Sequence, residues 1–105
     1  NIAPEVLTVE QFLKRWLEEA VKPKNKASTL DSYTRIVTLY LVPHIGKLRL
    51  EKLTAVHVLT MQNTLLSEGL STRTVQYARA VLRRALGQAV KWDLLNRNVV
   101  PLVDA

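Results

Sequence analysis

The sequence predicts an all-α domain, a compact bundle of four main helices followed by a short C-terminal helix or turn. Apolar residues recur at helical spacing in four separate stretches. Each of these stretches is preceded by a Ser or Thr able to cap it. The joining segments are short, and none sustains the alternation of a strand beyond a brief stretch near residue 50. At 105 residues, 48% of them hydrophobic, the chain is the size of one domain, spanning 1–105 and able to bury one core.

Helix one opens on Thr8-Val-Glu-Gln11, a capping box in which the Thr hydroxyl accepts from the backbone three residues on and Gln11 reaches back. Val9, Phe12, Leu13, Trp16, Leu17, Ala20 and Val21 then share one face, which predicts a helix over 9–21 closed by Pro23. After the basic loop from Lys22 to Lys26, Ser28 or Thr29 caps helix two, expected over 29–42 with Leu30, Tyr33, Val37, Tyr40 and Leu41 facing inward. Pro43 and Gly46 mark a turn that holds His44, and Lys47 to Leu53 alternates apolar and charged residues, as a brief extended piece would. Thr54 caps helix three, expected over 55–68, with Val58, Leu59, Met61, Leu65 and Leu66 on its apolar side and Gly69 at the C′ position. Ser71 or Thr72 opens helix four, the longest, expected over 72–91 with a buried stripe of Val75, Ala78, Leu82, Leu86, Ala89 and Val90. Trp92 to Asn98 reads as a last short helix or turn, and Pro101 ends it.

Several chemistries are missing. There is no cysteine, which excludes disulfides, zinc–thiolate sites and thiol catalysis. No stretch approaches the roughly 18 apolar residues of a membrane span, and the N-terminus lacks the pattern of a signal peptide. A cytoplasmic location is expected. His44 and His57 have no metal-ligand pattern around them, and Asp31, Asp93 and Asp104 form no motif. Tyr33, Tyr40 and Trp16 read as core, whereas Tyr77 is exposed without an obvious base or acid, which suits a contact better than a nucleophile. No cofactor, metal, small-molecule substrate or catalytic residue is expected in this chain.

The charge is informative. Fifteen Lys and Arg against nine Asp and Glu give a net +6, a balance that favours polyanions, nucleic acid before membrane. Helix one mixes Lys14 and Arg15 with Glu10, Glu18 and Glu19, as a solvated structural helix does. The stretch 69–92 instead holds five basic residues and no acid, and 22–35 holds four against Asp31 alone. At 100° per residue, the face of helix four opposite Val75, Leu82 and Leu86 carries Arg73, Gln76, Tyr77, Ala80, Arg84, Gly87 and Lys91. Arg83 flanks that face, and Arg79 lies nearer the core edge. Arginine pairs bidentately with phosphate or guanine, glutamine with adenine, and the small Ala80 and Gly87 let a helix approach a groove closely. A solvated helix would normally include Glu for i,i+4 pairing. The candidate DNA-binding set is therefore two surfaces. One is Lys22, Lys24, Lys26, Ser28, Thr29, Ser32 and Arg35; the other is Thr72, Arg73, Thr74, Gln76, Tyr77, Arg83, Arg84 and Lys91. The competing reading of the first is an ordinary cap beside loop lysines, and of the second a basic helix facing water or an acidic partner.

Six pieces, in order, resemble the core-binding domain of tyrosine recombinases of the phage-integrase type. They are Leu7-Thr-Val-Glu-Gln-Phe12, Ser28-Thr-Leu-Asp-Ser-Tyr33, Leu41-Val-Pro-His-Ile-Gly46, Leu50-Glu-Lys-Leu-Thr54, Gly69-Leu-Ser-Thr-Arg-Thr-Val75 and Ala89-Val-Lys-Trp-Asp-Leu-Leu-Asn-Arg-Asn98. The resemblance covers about Leu7 to Val103 and implies a SAM-like helical fold. Many members place Asn-Pro after the last helix, whereas here Val99 and Val100 separate Asn98 from Pro101. The resemblance implies a clamp around duplex DNA formed with a separate catalytic domain, which supplies the tyrosine nucleophile and is absent from this chain. It implies that Lys26, Ser28, Thr29, Ser32 and Arg35, with Arg73, Thr74, Gln76, Tyr77 and Arg84, face DNA, and that other protomers are partners in a synaptic complex. Two other functions compete with this one: a helix-turn-helix transcriptional regulator and a helical protein-interaction domain.

Overall fold

The computed structural model describes residues 6–103, and among them every regular element is helical. Helix α1 covers residues 9–24 as an α segment Val9–Trp16, a π turn Leu17–Val21 and a final turn Lys22–Lys24. Helix α2 covers residues 27–45 in the same manner, as Ala27–Ile36, a π turn Val37–Leu41 and Val42–Ile45. Helix α3 is Ala55–Ser67 and α4 is Thr72–Lys91, with 3₁₀ turns at Leu50–Lys52 and Val100–Leu102. The extended piece expected near residue 50 is a single antiparallel bridge between Thr8 and Arg49, flanked by Val9 N–H to Leu48 O and Leu50 N–H to Leu7 O, both 2.8 Å.

The expected ends of α1 at 21 and of α2 at 42 are too early, for one physical reason. Inside a regular helix a proline ring collides with the carbonyl four residues back. Here each proline lies six residues after the first residue of a π turn, Pro23 after Leu17 and Pro43 after Val37. The residue before each proline donates five back, Lys22 to Leu17 O and Val42 to Val37 O. The extra residue in the turn moves the threatened carbonyl out of register, so the helix continues past the ring. His44 therefore sits on a helix, not in a turn, and its Nδ1 donates to Tyr40 O at 2.8 Å.

Caps fix most other boundaries. Thr8 and Gln11 form the expected capping box, with Thr8 Oγ1 accepting from Gln11 N–H and Gln11 Oε1 from Thr8 N–H. Thr54 caps α3, with His57 Nδ1 taking the reciprocal acceptor role, and Ser71 caps α4 by accepting from Thr74 N–H at 3.1 Å. α2 departs from expectation. It starts at Ala27 behind Lys26, so Ser28 and Thr29 lie inside its first turn and neither is its cap. Gly69 has φ +96°, and the pair Leu70 N–H to Leu65 O and Gly69 N–H to Leu66 O closes α3 one residue before the expected end. Asp93 plays the same part after α4, with Leu94 N–H to Ala89 O, Asp93 N–H to Val90 O and φ +64°. An aspartate bears a steric cost there that glycine does not. Asp93→Gly is expected to raise stability by about 0.5–1 kcal/mol, read as a higher thermal midpoint; an unchanged or lowered midpoint would show that the aspartate is not strained.

The core runs from Phe12 and Leu13 of α1 through Leu41 of α2 and Leu65 of α3 to Leu82 and Leu86 of α4, all fully buried. α4 packs against α1, α2, α3 and the turn at 100–102. It buries Val81 and Ala85 in addition to most of the expected stripe, while Val90 is only half-buried. Leu59 and Leu66 of α3, expected in the core, are 44% and 43% exposed, because α3 packs along the narrower line of Val58, Met61 and Leu65. Trp16 is buried, and Trp92 packs edge-on against Phe12 at 6.1 Å beneath the Arg15 guanidinium. Residues 92–98 form a turn, and Pro101 lies within the 3₁₀ turn that follows. Asn98 ties this segment down, donating to Arg83 O and accepting from Val100 N–H.

Candidate nucleic-acid interface

The two basic surfaces are built by different local devices. Between α1 and α2 the chain breaks for two residues, and Asn25 donates its side-chain amide to Val21 O at 2.9 Å, closing α1. The next residue, Lys26, occupies the N-cap of α2 with no side-chain acceptor to offer. The first turn of α2 thus has neither a side-chain cap nor an acid, and its positive end lies beside exposed Lys24 and Lys26. Ser28, Ser32 and Arg35 follow at i, i+4 and i+7 along one face, Ser28 and Arg35 exposed and Ser32 and Thr29 half-buried.

On α4, Thr72, Arg73, Gln76, Tyr77, Arg83, Arg84 and Lys91 are all exposed. Thr74 is half-buried, and its hydroxyl accepts from Ser71 Oγ at 3.0 Å, so it serves the cap. Lys22 is exposed, but its ammonium is 3.1 Å from the Glu18 carboxylate. Among the described residues, Lys24, Lys26, Arg35, Arg73, Arg83, Arg84 and Lys91 make no ion pair, whereas the carboxylates of α1 are matched within that helix by Lys14, Arg15 and Lys22. Apart from Lys22, the cationic side chains of the two surfaces are therefore free to meet an external anion. Arg79 is the exception on α4. Its Nη2 turns inward and donates to Val100 O at 3.2 Å and Val103 O at 3.1 Å.

The fold joins the two surfaces. Ser32 Oγ of α2 and Tyr77 OH of α4 are 2.9 Å apart, a hydrogen bond between residues 45 positions apart in sequence. Tyr33 lies behind it, its ring 6.4 Å from Tyr77 on one side and stacked on Trp16 at 5.6 Å and 12° on the other. A layer of three aromatic rings thus fixes the spacing of α2 and α4 from beneath. Beside it a depression of about 270 Å³ opens between α1 and α4, with Trp16 and Tyr33 in its lining and Arg84 and Lys91 among its polar groups. Tyr33, read from the sequence as core, is half-buried and lines this depression, and Asn25 and Gln88 also contribute. Asn25 belongs to the basic loop already marked in the sequence, but no local pattern announces Tyr33 and Gln88 beside it, because the depression exists only where three helices meet.

The histidines hold structural posts. His57 completes the α3 cap, and His44, besides its bond to Tyr40 O, has Nε2 3.6 Å from the Glu68 carboxylate. Among the described residues no group of three or more His, Cys, Asp or Glu is placed to hold a metal ion, and no helix is long and apolar enough to cross a membrane. Asp104 lies outside the described residues.

The profile of the phage integrase N-terminal SAM-like domain matches residues 8–66. An integrase from Streptomyces ambofaciens is 30% identical over 101 residues, a match that covers 96% of this chain and 26% of that protein. The chain therefore spans about a quarter of that relative's length. The phage integrase SAM-like domain of Moorella thermoacetica, solved in solution, superposes with a TM-score of 0.82 at 35% identity, covering 99% of this chain and 89% of that one. A lambda integrase dimer bound to a COC′ core site contains the same fold, with a TM-score of 0.85 at 20% identity over 97% of this chain and 29% of that one.

Proposed function

The chain belongs to the phage integrase N-terminal SAM-like domain family, and on that premise we propose that it grips duplex DNA at core-type recombination sites. It does so through one continuous surface formed by α2 and α4. The grip positions a separate catalytic domain of a tyrosine recombinase for strand exchange, and this domain contributes no catalytic residue of its own. Other protomers of the recombinase are its partners in a synaptic complex, in the cytoplasm. The observation that carries the reading is the junction at Ser32 and Tyr77, which turns two separately basic segments into one surface whose cations, Lys22 apart, make no ion pair among the described residues.

The geometry fits a duplex in two respects. The uncapped start of α2, with its lysines and hydroxyls, suits phosphate oxygens and sets orientation. The outer face of α4 offers Arg73 and Gln76 in its first turns, side chains able to read base edges in a major groove, with Arg84 further along it. Length supports an extended contact, since twenty helical residues rise about 30 Å, close to one turn of duplex.

The test is a salt titration of binding to a labelled duplex. Each phosphate neutralised contributes about −0.9 to the slope of log K against log salt. If Lys24, Lys26, Arg35, Arg73, Arg83, Arg84 and Lys91 supply most of the contacts, the slope lies between about −3 and −6. No binding at low salt, or a slope near zero, rejects the reading.

A further inference from the structure

The three glycines of this chain are not alike. Gly69 adopts φ +96°, which L side chains rarely do. Gly46 has no room, since a Cβ there would come within 2.6 Å of the Val42 carbonyl oxygen. Gly87 has neither reason. It sits in the interior of α4, and the nearest atom to an added Cβ would be Asn98 Nδ2 at 3.9 Å, an ordinary contact. A glycine at such a position weakens a helix relative to alanine. Among the described residues, no close contact at Gly87 accounts for that loss.

The surroundings of Gly87 point outward. The depression of about 270 Å³ on its α1 side and a shallower one of about 440 Å³ on the side of Asn98 share Arg84 and Gly87 as a common lip. α4 is thus lowest at Gly87, with a hollow on either flank. Arg84 lines both hollows, Lys91 lines one and Arg83 the other, and none of the three makes an ion pair among the described residues. A chain-like polyanion crossing α4 at this point meets cations on both sides and no side chain beneath it.

We propose that Gly87 is the point where one sugar–phosphate strand of bound DNA crosses α4 in van der Waals contact with the helix backbone, its phosphates seated in the flanking hollows by Arg83, Arg84 and Lys91. The inference rests on the duplex-binding reading above and adds the path of one strand to it. It gives Gly87 a positioning role that carries no charge, so steric and electrostatic contributions separate in the test.

The experiment compares wild type, Gly87→Ala, Gly87→Leu and Arg84→Ala for thermal unfolding and for affinity to one labelled duplex across a salt series. Gly87→Ala is expected to unfold about 4 °C higher, as an interior helical alanine should. It should nevertheless bind roughly tenfold more weakly, with Gly87→Leu weaker still. The salt slope stays at the wild-type value in both glycine variants and falls by about one in Arg84→Ala. If both glycine variants bind as wild type while Arg84→Ala is impaired, the strand path is wrong and the duplex reading stands. If wild type itself fails to bind at low salt, both fall.

Discussion

Arg84→Glu is expected to reduce duplex affinity by about 100-fold or more, with the helical fold intact. Arg84 is exposed on the outer face of α4, lacks an acid partner among the described residues, and lines both hollows beside Gly87. Truncation to alanine removes one cation from a phosphate, a charge-assisted contact whose loss costs about 1.5–3 kcal/mol, or roughly 10- to 150-fold. Reversal adds repulsion from the phosphates to that deficit and makes the salt slope shallower by about two charges. Lys22→Ala provides the contrast. Its ammonium already faces the Glu18 carboxylate at 3.1 Å, so binding should change by no more than about twofold. Fluorescence anisotropy with a labelled duplex, alongside circular dichroism to confirm the helices, reads both. A folded Arg84→Glu protein that binds as tightly as wild type would remove α4 from the interface.

The expected bounds of α4, 72–91, coincide with the helix; its end is set by Asp93 in the left-handed conformation, which no sequence signal announces, whereas its start has a local signal in the serine cap. The capping boxes at Thr8 and Thr54 and the αL glycine at Gly69 are legible for the same reason, since each is a contact between near neighbours in sequence. The prolines mislead. A proline normally stops a helix, and nothing in a single sequence says that a π turn upstream will clear its ring, as happens before Pro23 and Pro43. Leu59 and Leu66 show a different limit. Their spacing marks an apolar face, but its buried width depends on how α3 meets the rest of the bundle.

The candidate site divides along the same line. The unbroken run of positive charge on α4 and its inward-leaning Arg79 follow from composition and a 100° rotation. The junction at Ser32 and Tyr77 does not, because it links residues 45 apart through the packing of Tyr33 on Trp16. Ser32 and Tyr77 could each be named as surface residues from sequence, but not as neighbours. The hollows beside Gly87 belong to that second kind, since one of them needs α1, α2 and α4 in place together.

Arg79 carries the sharpest contrast within one helix, and Arg79→Ala is expected to destabilise the domain by about 2–4 kcal/mol. The guanidinium reaches from α4 to the carbonyls of Val100 and Val103, two residues whose side chains are buried against the core. Truncation leaves both carbonyls without their charged donor in a partly buried setting and removes the stem that packs beneath them. Its Nε is buried without an acceptor, so the side chain is held by its terminal donors alone. Arg79→Lys should recover only part of the stability, because a single ammonium replaces a planar fork. DNA binding should respond oppositely to the Arg84 case. Once the folded fraction is accounted for, affinity and salt slope should match wild type, because the Arg79 charge is engaged by the chain's own backbone. Denaturant unfolding and a salt series on the same variant measure the two effects separately. An Arg79→Ala protein of unchanged stability with a reduced salt slope would mean that this arginine faces the phosphates and that the 100–103 segment is anchored by other interactions.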